Sequence, residues 1–275
     1  MFKARLPPGE RREDRIVHAR PMPNDAGRDG PVEGAVACIE NAGGRFPVLL
    51  ICEHASNHLP ARYGTLGLGP DERESHIAWD PGALGVAQRL SGSLDAPLIH
   101  ATVSRLVLDL NRDPSAPDSI TALSEATPIP GNAELPPAER ARRAREVYEP
   151  FHRAVEDFAA SRAGEIEAVV SIHSFTPVYR GVPRPWQIGL IFDQDERLAR
   201  SVAAGLEREA GLCVGMNEPY SPADRVFHTL ERHAARRGLA PLMIEIRNDL
   251  IRTEDGQASW AGRLAPLLRE GMRTL

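Results

Sequence analysis

The chain has 275 residues, of which 42% are hydrophobic, and its formal net charge is -5 at pH 7. This length suits one large α/β domain or two small ones, and the apolar fraction is sufficient for an ordinary core. The acidic balance argues against a nucleic-acid-binding protein, because such proteins present a basic face. No apolar run approaches the roughly 20 residues of a membrane helix, so we expect no membrane partner.

The cysteines and the N-terminal segment bear on location and domain boundaries. Cys38, Cys52 and Cys213 are odd in number and widely spaced, which offers neither a disulfide framework nor a cysteine-based zinc pattern. We therefore expect a cytoplasmic location. Residues 1–30 lack both periodicity and a signal-peptide core. They are predicted to form a flexible arm before a single α/β domain at 31–275, with an RNA-contacting arm as the less favoured alternative.

Predicted strands and helices alternate along the chain. Continuous apolar runs indicate strands that are buried on both faces, and apolar residues three or four apart indicate helices. The predicted strands are 48–52, 97–101, 104–110, 168–176, 187–193, 213–216 and 241–246. The predicted helices are 71–76, 82–91, 137–162, 196–210, 226–237 and 255–272, with long loops at 113–136 and 177–186. This alternation predicts an α/β fold around a mixed, mainly parallel sheet.

Three predicted strands carry chemically useful side chains at or near their carboxyl ends. His54 follows the first strand, His173 lies near the end of the fourth, and Glu245 lies within the last. In open α/β sheets ligands bind at the carboxyl ends of the strands. We therefore expect these side chains to share one site.

His54 and His173 are the best candidate metal ligands. A lone histidine at a strand end is more often structural, but two such histidines favour a metal site. Catalytic zinc takes three protein ligands and a water molecule, and other divalent ions accept the same ligand types. Asp80, Asn57 and Glu53 are the candidates for the third ligand. Asp80 is preferred, although it also suits a helix cap.

Glu245 and Arg105 are the candidate catalytic residues. A carboxylate inside an apolar strand is costly unless it is paired or used. We expect Glu245 to act as a general base that takes a proton from water and passes it to the leaving nitrogen. An ion pair with Arg247 or another arginine is the alternative. Arg105 is expected to stabilise the oxyanion, or else to bind a substrate carboxylate.

The candidate substrate-binding residues are Asn111, Arg112, Ser174 and Tyr220. A guanidinium binds a carboxylate through two parallel hydrogen bonds, and a neighbouring amide fixes its orientation. An ordinary salt bridge is the alternative for Arg112, and simple packing for Tyr220. Asp109 is expected to support the neighbouring arginines rather than to act itself.

Six sequence segments carry a family resemblance. They are CEHASNHLP at 52–60, WDPGA at 79–83, SRLVLDLNRDP at 104–114, SIHSFTP at 171–177, NEPYSP at 217–222 and EIRNDLI at 245–251. As a set they resemble the N-formylglutamate amidohydrolases, which are related in fold to the zinc carboxypeptidase and aspartoacylase group. The resemblance implies a phosphorylase/hydrolase-like, three-layer α/β sandwich.

The resemblance also implies an activity and roles for matching residues. The activity is zinc-dependent hydrolysis that releases formate from N-formyl-glutamate. His54 and His173 look like metal ligands, and Glu245 resembles the glutamate that activates water. Asn111 and Arg112 look like the pair that grips the substrate's terminal carboxylate.

The chain departs from the related pattern after the first strand. Asn57 stands where the His-x-x-Glu motif of the carboxypeptidase group has glutamate, and the segment reads Glu-His-Ala-Ser rather than Pro-His-x-Gly. This favours a divergent branch that acts on another small N-acyl amino acid. The alternatives are a zinc carboxypeptidase or deacylase with a larger substrate, and an inactive amino-acid-binding protein.

Overall fold

The computed structural model of the protein describes residues 34–275. The arm predicted for residues 1–30 lies outside the described residues, and the domain boundary there stays a prediction. None of the helices in the described part of the chain is both long and apolar enough to cross a membrane.

The strands and helices alternate as the sequence predicts. The strands are β1 (Ala37–Glu40), β2 (Val48–Cys52), β3 (Leu98–Ala101), β4 (Leu123–Ser124), β5 (Thr127–Pro128), β6 (Ala168–Phe175), β7 (Val178–Tyr179), β8 (Val182–Pro183), β9 (Ile188–Ile191), β10 (Val214–Met216) and β11 (Ala240–Arg247). The α-helices are α1 (Pro70–Glu74), α2 (Ala83–Leu94), α3 (Pro137–Arg143), α4 (Glu149–Ser161), α5 (Arg197–Leu206), α6 (His228–His233) and α7 (Glu254–Met272). A π-helical turn, Ala144–Tyr148, joins α3 to α4. Short 3-10 turns lie at Ala61–Tyr63, Pro130–Asn132, Pro222–Asp224, Ala235–Arg237 and Asn248–Leu250.

Seven strands form one mixed sheet in the order β1-β3-β2-β6-β11-β9-β10. The four central strands, β3, β2, β6 and β11, are parallel to their neighbours within this group. At one edge β1 is antiparallel to β3. At the other, β9 is antiparallel to β11 and β10 is parallel to β9. The predicted mixed, mainly parallel sheet is confirmed.

Helices cover both faces of the sheet, which confirms the three-layer sandwich. Apolar side chains of α2, α5 and α7 pack on one face, and those of α4 and α6 pack on the other. Every residue of β2 is fully buried, as a continuous apolar run predicts. Burying one such aliphatic side chain contributes roughly 1.5–3 kcal/mol, so the two packed faces secure the central strands.

The predicted strand at 104–110 is wrong, because this segment is an irregular but buried chain. Its carbonyl groups are bound by side chains instead of by a neighbouring strand. Asn132 Nδ2 donates to Leu106 O at 2.8 Å, and Arg143 Nη1 donates to Val107 O at 3.0 Å. The apolar run therefore reflects burial in the core and not strand pairing.

Several other boundaries differ from the prediction. The predicted loops at 113–136 and 177–186 each contain a short hairpin, β4–β5 and β7–β8. The helix predicted at 196–210 ends at Leu206, and the one predicted at 226–237 is a short helix followed by a 3-10 turn. Antiparallel β1 was not predicted. Short elements of two to four residues give too little periodic signal to be found.

Candidate active site

The sheet register brings the predicted site residues to one edge of the sheet. Glu245 on β11 is the direct register partner of His173 on β6. His54 follows β2, which pairs with the other side of β6. Because these strands are parallel, their carboxyl ends lie at the same edge, where the sequence predicts the site.

His54, His173 and Asp80 form a buried group of three possible metal ligands. The two histidine Nδ1 atoms are 3.1 Å apart. Asp80 Oδ2 lies 2.9 Å from Nδ1 of His173 and 3.4 Å from Nδ1 of His54. Tetrahedral zinc bonds of 2.0–2.1 Å to such ligands place the ligand atoms about 3.3 Å from one another. The three side chains therefore fit a divalent metal ion.

A second carboxylate faces the outer nitrogen of each histidine. His54 Nε2 lies 2.7 Å from Asp109 Oδ1, and His173 Nε2 lies 3.1 Å from Glu53 Oε2. Ser171 Oγ donates to the same Glu53 oxygen at 2.7 Å. Carboxylates in this position orient metal-binding imidazoles and make them more basic. The donor arrangement around both rings thus matches a metal site.

Asp80 joins the histidines, whereas the other two candidates for the third ligand do not. Asp80 is held by its own backbone N–H, which donates to His54 O, and by Ser174 N–H, which donates to Asp80 Oδ2. Glu53 lies on the outer side of His173, and Asn57 Nδ2 donates to a backbone carbonyl of α1. Burial would raise the pKa of Asp80, but His54 and His173 outweigh it and hold the pKa below its ordinary value. The carboxyl group is thus in the ionised, metal-binding form.

Glu245 is buried beside this group without an ion-pair partner among the described residues. Its Oε2 atom has no hydrogen-bond partner there. Arg247, the alternative partner, is bound to Asp249 at 2.8 Å instead. Burial raises the pKa of Glu245 to about 7, although the charge of His173 opposes the shift. A carboxyl group with this pKa can both accept and release a proton near neutral pH.

Arg105 extends from the 104–110 segment into the pocket. Its Nη2 donates to Asp109 Oδ2 at 2.5 Å, and its Nη1 donates to Asp80 Oδ1 at 3.4 Å. Burial would lower the pKa of Arg105, but the two carboxylates outweigh it and hold the pKa above its ordinary value. Arg105 therefore places a fixed positive charge against the ligand group.

Asn111 and Arg112 line the pocket but are largely engaged with neighbouring backbone. The Asn111 amide donates to Val226 O and accepts from Thr229 N–H. Arg112 donates through Nη1 to Arg225 O and through Nε to a carboxylate of the following loop. Its Nη2 has no hydrogen-bond or ion-pair partner among residues 34–275. The pair thus fixes the wall of the pocket and leaves one guanidinium nitrogen available.

Ser174 and Tyr220 both line the same pocket. Ser174 Oγ donates to Pro81 O at 3.1 Å, so its hydroxyl is tied to the segment that carries Asp80. Tyr220 OH accepts from Arg184 Nη1 at 3.1 Å, and the guanidinium carbon lies 4.7 Å from the centre of the tyrosine ring. Tyr220 is therefore a packed wall residue with its hydroxyl at the cavity.

The pocket has a volume of about 550 Å³. Three residues that bear on the site were not assigned these positions by sequence reasoning: Asp109 and Glu53 behind the histidines, and Arg180 at the mouth. The contact between Asp109 and His54 joins residues 55 positions apart, and no local pattern announces it. Arg180 lies in the turn of the β7–β8 hairpin, where a short loop gives no functional signal.

The fold and the pocket define an α/β sandwich protein with a candidate metal-binding active site at the strand ends. The family model for N-formylglutamate amidohydrolase matches residues 46–252. The chain belongs to this family, and so to a family of amide-hydrolysing enzymes.

Solved structures agree with this assignment. A gene product of Agrobacterium tumefaciens is 48% identical in sequence, with a TM-score of 0.85, and the match covers 88% of this chain and 96% of that chain. An N-formylglutamate amidohydrolase from Ralstonia eutropha shares the fold, with a TM-score of 0.59 at 23% identity, over 87% of this chain and 98% of that chain. Among curated proteins, none matches the sequence.

Proposed function

We propose that the protein hydrolyses the amide bond of an N-formyl or other small N-acyl amino acid, with N-formyl-L-glutamate as the leading substrate. The main support is the position of Glu245, which is buried, has no ion-pair partner among the described residues, and is in register with His173 beside the His54–Asp80–His173 group. Membership in the N-formylglutamate amidohydrolase family supports the same reaction. The proposed location is the cytoplasm, because none of the three cysteines forms a disulfide.

His54, His173 and Asp80 would hold the metal, for which zinc is the leading candidate and another divalent ion the alternative. A divalent ion in such a site supplies Lewis acidity and lowers the pKa of a water molecule. Asp109 and Glu53 fix the two imidazole rings from behind. The ligand geometry therefore does not depend on the bound substrate.

Glu245 moves the proton in the proposed reaction. It accepts a proton from the attacking water as the new C–O bond forms at the acyl carbon. It then delivers that proton to the amine nitrogen as the C–N bond breaks, which yields the carboxylic acid and the free amino acid. Its pKa of about 7 suits both steps at neutral pH.

Arg105 is the proposed electrostatic stabiliser of the oxyanion. Its guanidinium lines the pocket and is held by the carboxylates of Asp80 and Asp109. A charge fixed in this way requires little reorganisation when negative charge develops on the acyl oxygen. We also propose that Ser174 and Tyr220 shape the space around the acyl group.

Two guanidinium groups are available for the carboxylates of the substrate. Arg112 keeps Nη2 available, in a position that Asn111 and the 225–229 backbone fix. Arg180 lines the pocket, and no carboxylate of the described residues lies within ion-pair distance of it. Charge-assisted bonds of this kind recognise carboxylates strongly. The two arginines therefore favour a substrate with two carboxylates, such as an N-acyl glutamate.

The test combines metal analysis with a panel of substrates. Protein purified without chelator is expected to carry a divalent metal and to release formate from N-formyl-L-glutamate, faster than it hydrolyses N-acetyl-L-glutamate or a dipeptide. Chelation should abolish hydrolysis, and added zinc should restore it. Turnover that persists with no metal bound contradicts the mechanism, and tight amino-acid binding with neither metal nor turnover supports a binding protein.

Matched variants locate the metal. His54→Ala should lose both the metal and activity. His76→Ala is the control, because His76 lines the same pocket but is bound to Glu125 at 2.7 Å. Loss of metal from the control with retention in His54→Ala would place the metal elsewhere.

A further inference from the structure

A second group of metal-ligating side chains lies at the β1 edge of the sheet. Cys38 and Glu40 are two residues apart on β1 and therefore project from the same face of the strand. His100 on β3 is the direct register partner of Cys38. One ligand atom from each of the three residues lies within 4.8 Å of the others. None of the three lines the active-site pocket.

The surroundings of His100 point to a cation beside its ring. Its Nδ1 lies 3.2 Å from Ala101 O, and its Nε2 lies 2.9 Å from Glu40 Oε1. Both oxygens are acceptors, but a neutral imidazole has only one N–H to donate. His100 is only 8% exposed, so water cannot readily relieve the mismatch. A metal ion near Nε2 satisfies both contacts, since Nδ1–H then donates to Ala101 O as in typical zinc-bound histidines.

The neighbouring residues hold Glu40 in place for such a role. Gln88 on α2 donates through Nε2 to Glu40 Oε1 at 2.9 Å. This bond fixes the carboxylate over the edge of the sheet, next to the side chain of His100. Thiolate, imidazole and carboxylate together are a donor set that zinc and cobalt accept.

We propose that Cys38, Glu40 and His100 form a second divalent-metal site, of the zinc type, that is separate from the His54–Asp80–His173 group. Its ligands connect the edge strand β1 to β3. Bound metal therefore stabilises the pairing of the edge strand, because the ion links side chains of two strands. The proposal does not depend on the amidohydrolase reaction.

Cobalt binding to the full-length protein tests the proposal. Metal-free protein titrated with Co²⁺ is expected to bind two ions per chain. The second site should give an intense near-ultraviolet thiolate-to-cobalt charge-transfer band, because only this site contains a cysteine. Cys38→Ser should lose the band and one of the two ions, whereas Cys213→Ser, which changes an exposed cysteine, should keep both.

The active-site variant separates the two sites. A His54→Ala, His173→Ala double variant should lose one ion and keep the whole charge-transfer band. This measurement decides the question even where Cys38→Ser fails to fold. One ion per chain with no thiolate band in the wild type overturns the proposal, and so does a band that survives in Cys38→Ser.

Discussion

Asp109 binds His54 and Arg105 with its two carboxylate oxygens. Oδ1 lies 2.7 Å from Nε2 of His54, and Oδ2 accepts from Nη2 of Arg105 at 2.5 Å. Burial would raise the pKa of Asp109, but Arg105 and His54 outweigh it and hold the pKa well below its ordinary value. One ionised side chain therefore positions both a candidate metal ligand and the candidate oxyanion stabiliser.

Asp109→Asn should weaken metal binding by about 10- to 100-fold, the usual effect of losing a carboxylate behind a metal-binding histidine. Competition with a chromophoric chelator measures the affinity. Asp118→Asn is the matched control, because Asp118 lines the pocket but pairs with Arg112 and Arg225 rather than with a histidine. Equal affinities for the two variants would contradict the role of Asp109.

Glu245→Gln should lower kcat by about 10²- to 10⁴-fold, the usual contribution of a general base, with no loss of bound metal. The amide occupies the same space but cannot accept the proton from water. Steady-state kinetics with metal analysis on the same sample provide the measurement. Glu125→Gln, a change on the wall of the pocket, should leave kcat within a few fold.

The pH profile should follow the protonation of Glu245. The base acts as the carboxylate, so below its pKa of about 7 it is protonated and inactive. In the wild type kcat/KM should therefore rise with pH through about 7 and then level off. The residual activity of Glu245→Gln should not show this rise. A rise of the same size in the variant would assign the titration to another group.

Arg180→Gln should raise KM for N-formyl-L-glutamate by about tenfold or more, because a charge-assisted hydrogen bond to substrate contributes roughly 1.5–3 kcal/mol. A substrate whose carboxylates are converted to amides should show no such change. Comparing both substrates thus distinguishes lost recognition from altered folding. Arg236→Gln, at an exposed site that is paired with Glu231, is the control.

A buried histidine pair should make stability depend on pH. His152 Nδ1 and His233 Nε2 are 2.8 Å apart, and burial lowers the pKa of His152 well below its ordinary value and that of His233 to about 3. Both rings are neutral in the folded protein but gain protons in the unfolded chain below about pH 6.5. The free energy of unfolding should therefore be complete above that pH and fall as the pH decreases towards 3.

Chemical denaturation at several pH values measures this effect. His233→Asn should reduce the loss of stability between about pH 6.5 and 5, because one of the two titrating rings is gone. His58→Gln, which changes an exposed histidine, should leave the slope unchanged. An unchanged slope in His233→Asn would assign the pH dependence to other groups.

The central strands and the strand-end site were accessible from the sequence because their signals are local. The apolar runs of β2, β6 and β11 are continuous, and polar side chains occur at their ends. The segment 104–110 has a similar apolar character but no strand partner, and periodicity cannot distinguish these two cases.

The outer contacts of the site were not accessible in this way. Glu53 and Asp109 acquire their positions only when separate loops fold against the histidines. Cys38 and His100 likewise meet only through the pairing of β1 with β3. The sequence predicts which side chains occupy strand ends, but not which side chains from distant segments pack behind them.

The direct pairing of Glu245 with His173 links reactivity to the integrity of the fold. β6 and β11 share eight consecutive paired positions, and a shift by one residue would turn Glu245 towards the opposite helical layer. The base cannot drift gradually out of alignment. Mutations that weaken these two strands should therefore leave the surviving folded molecules at full specific activity and reduce only their number.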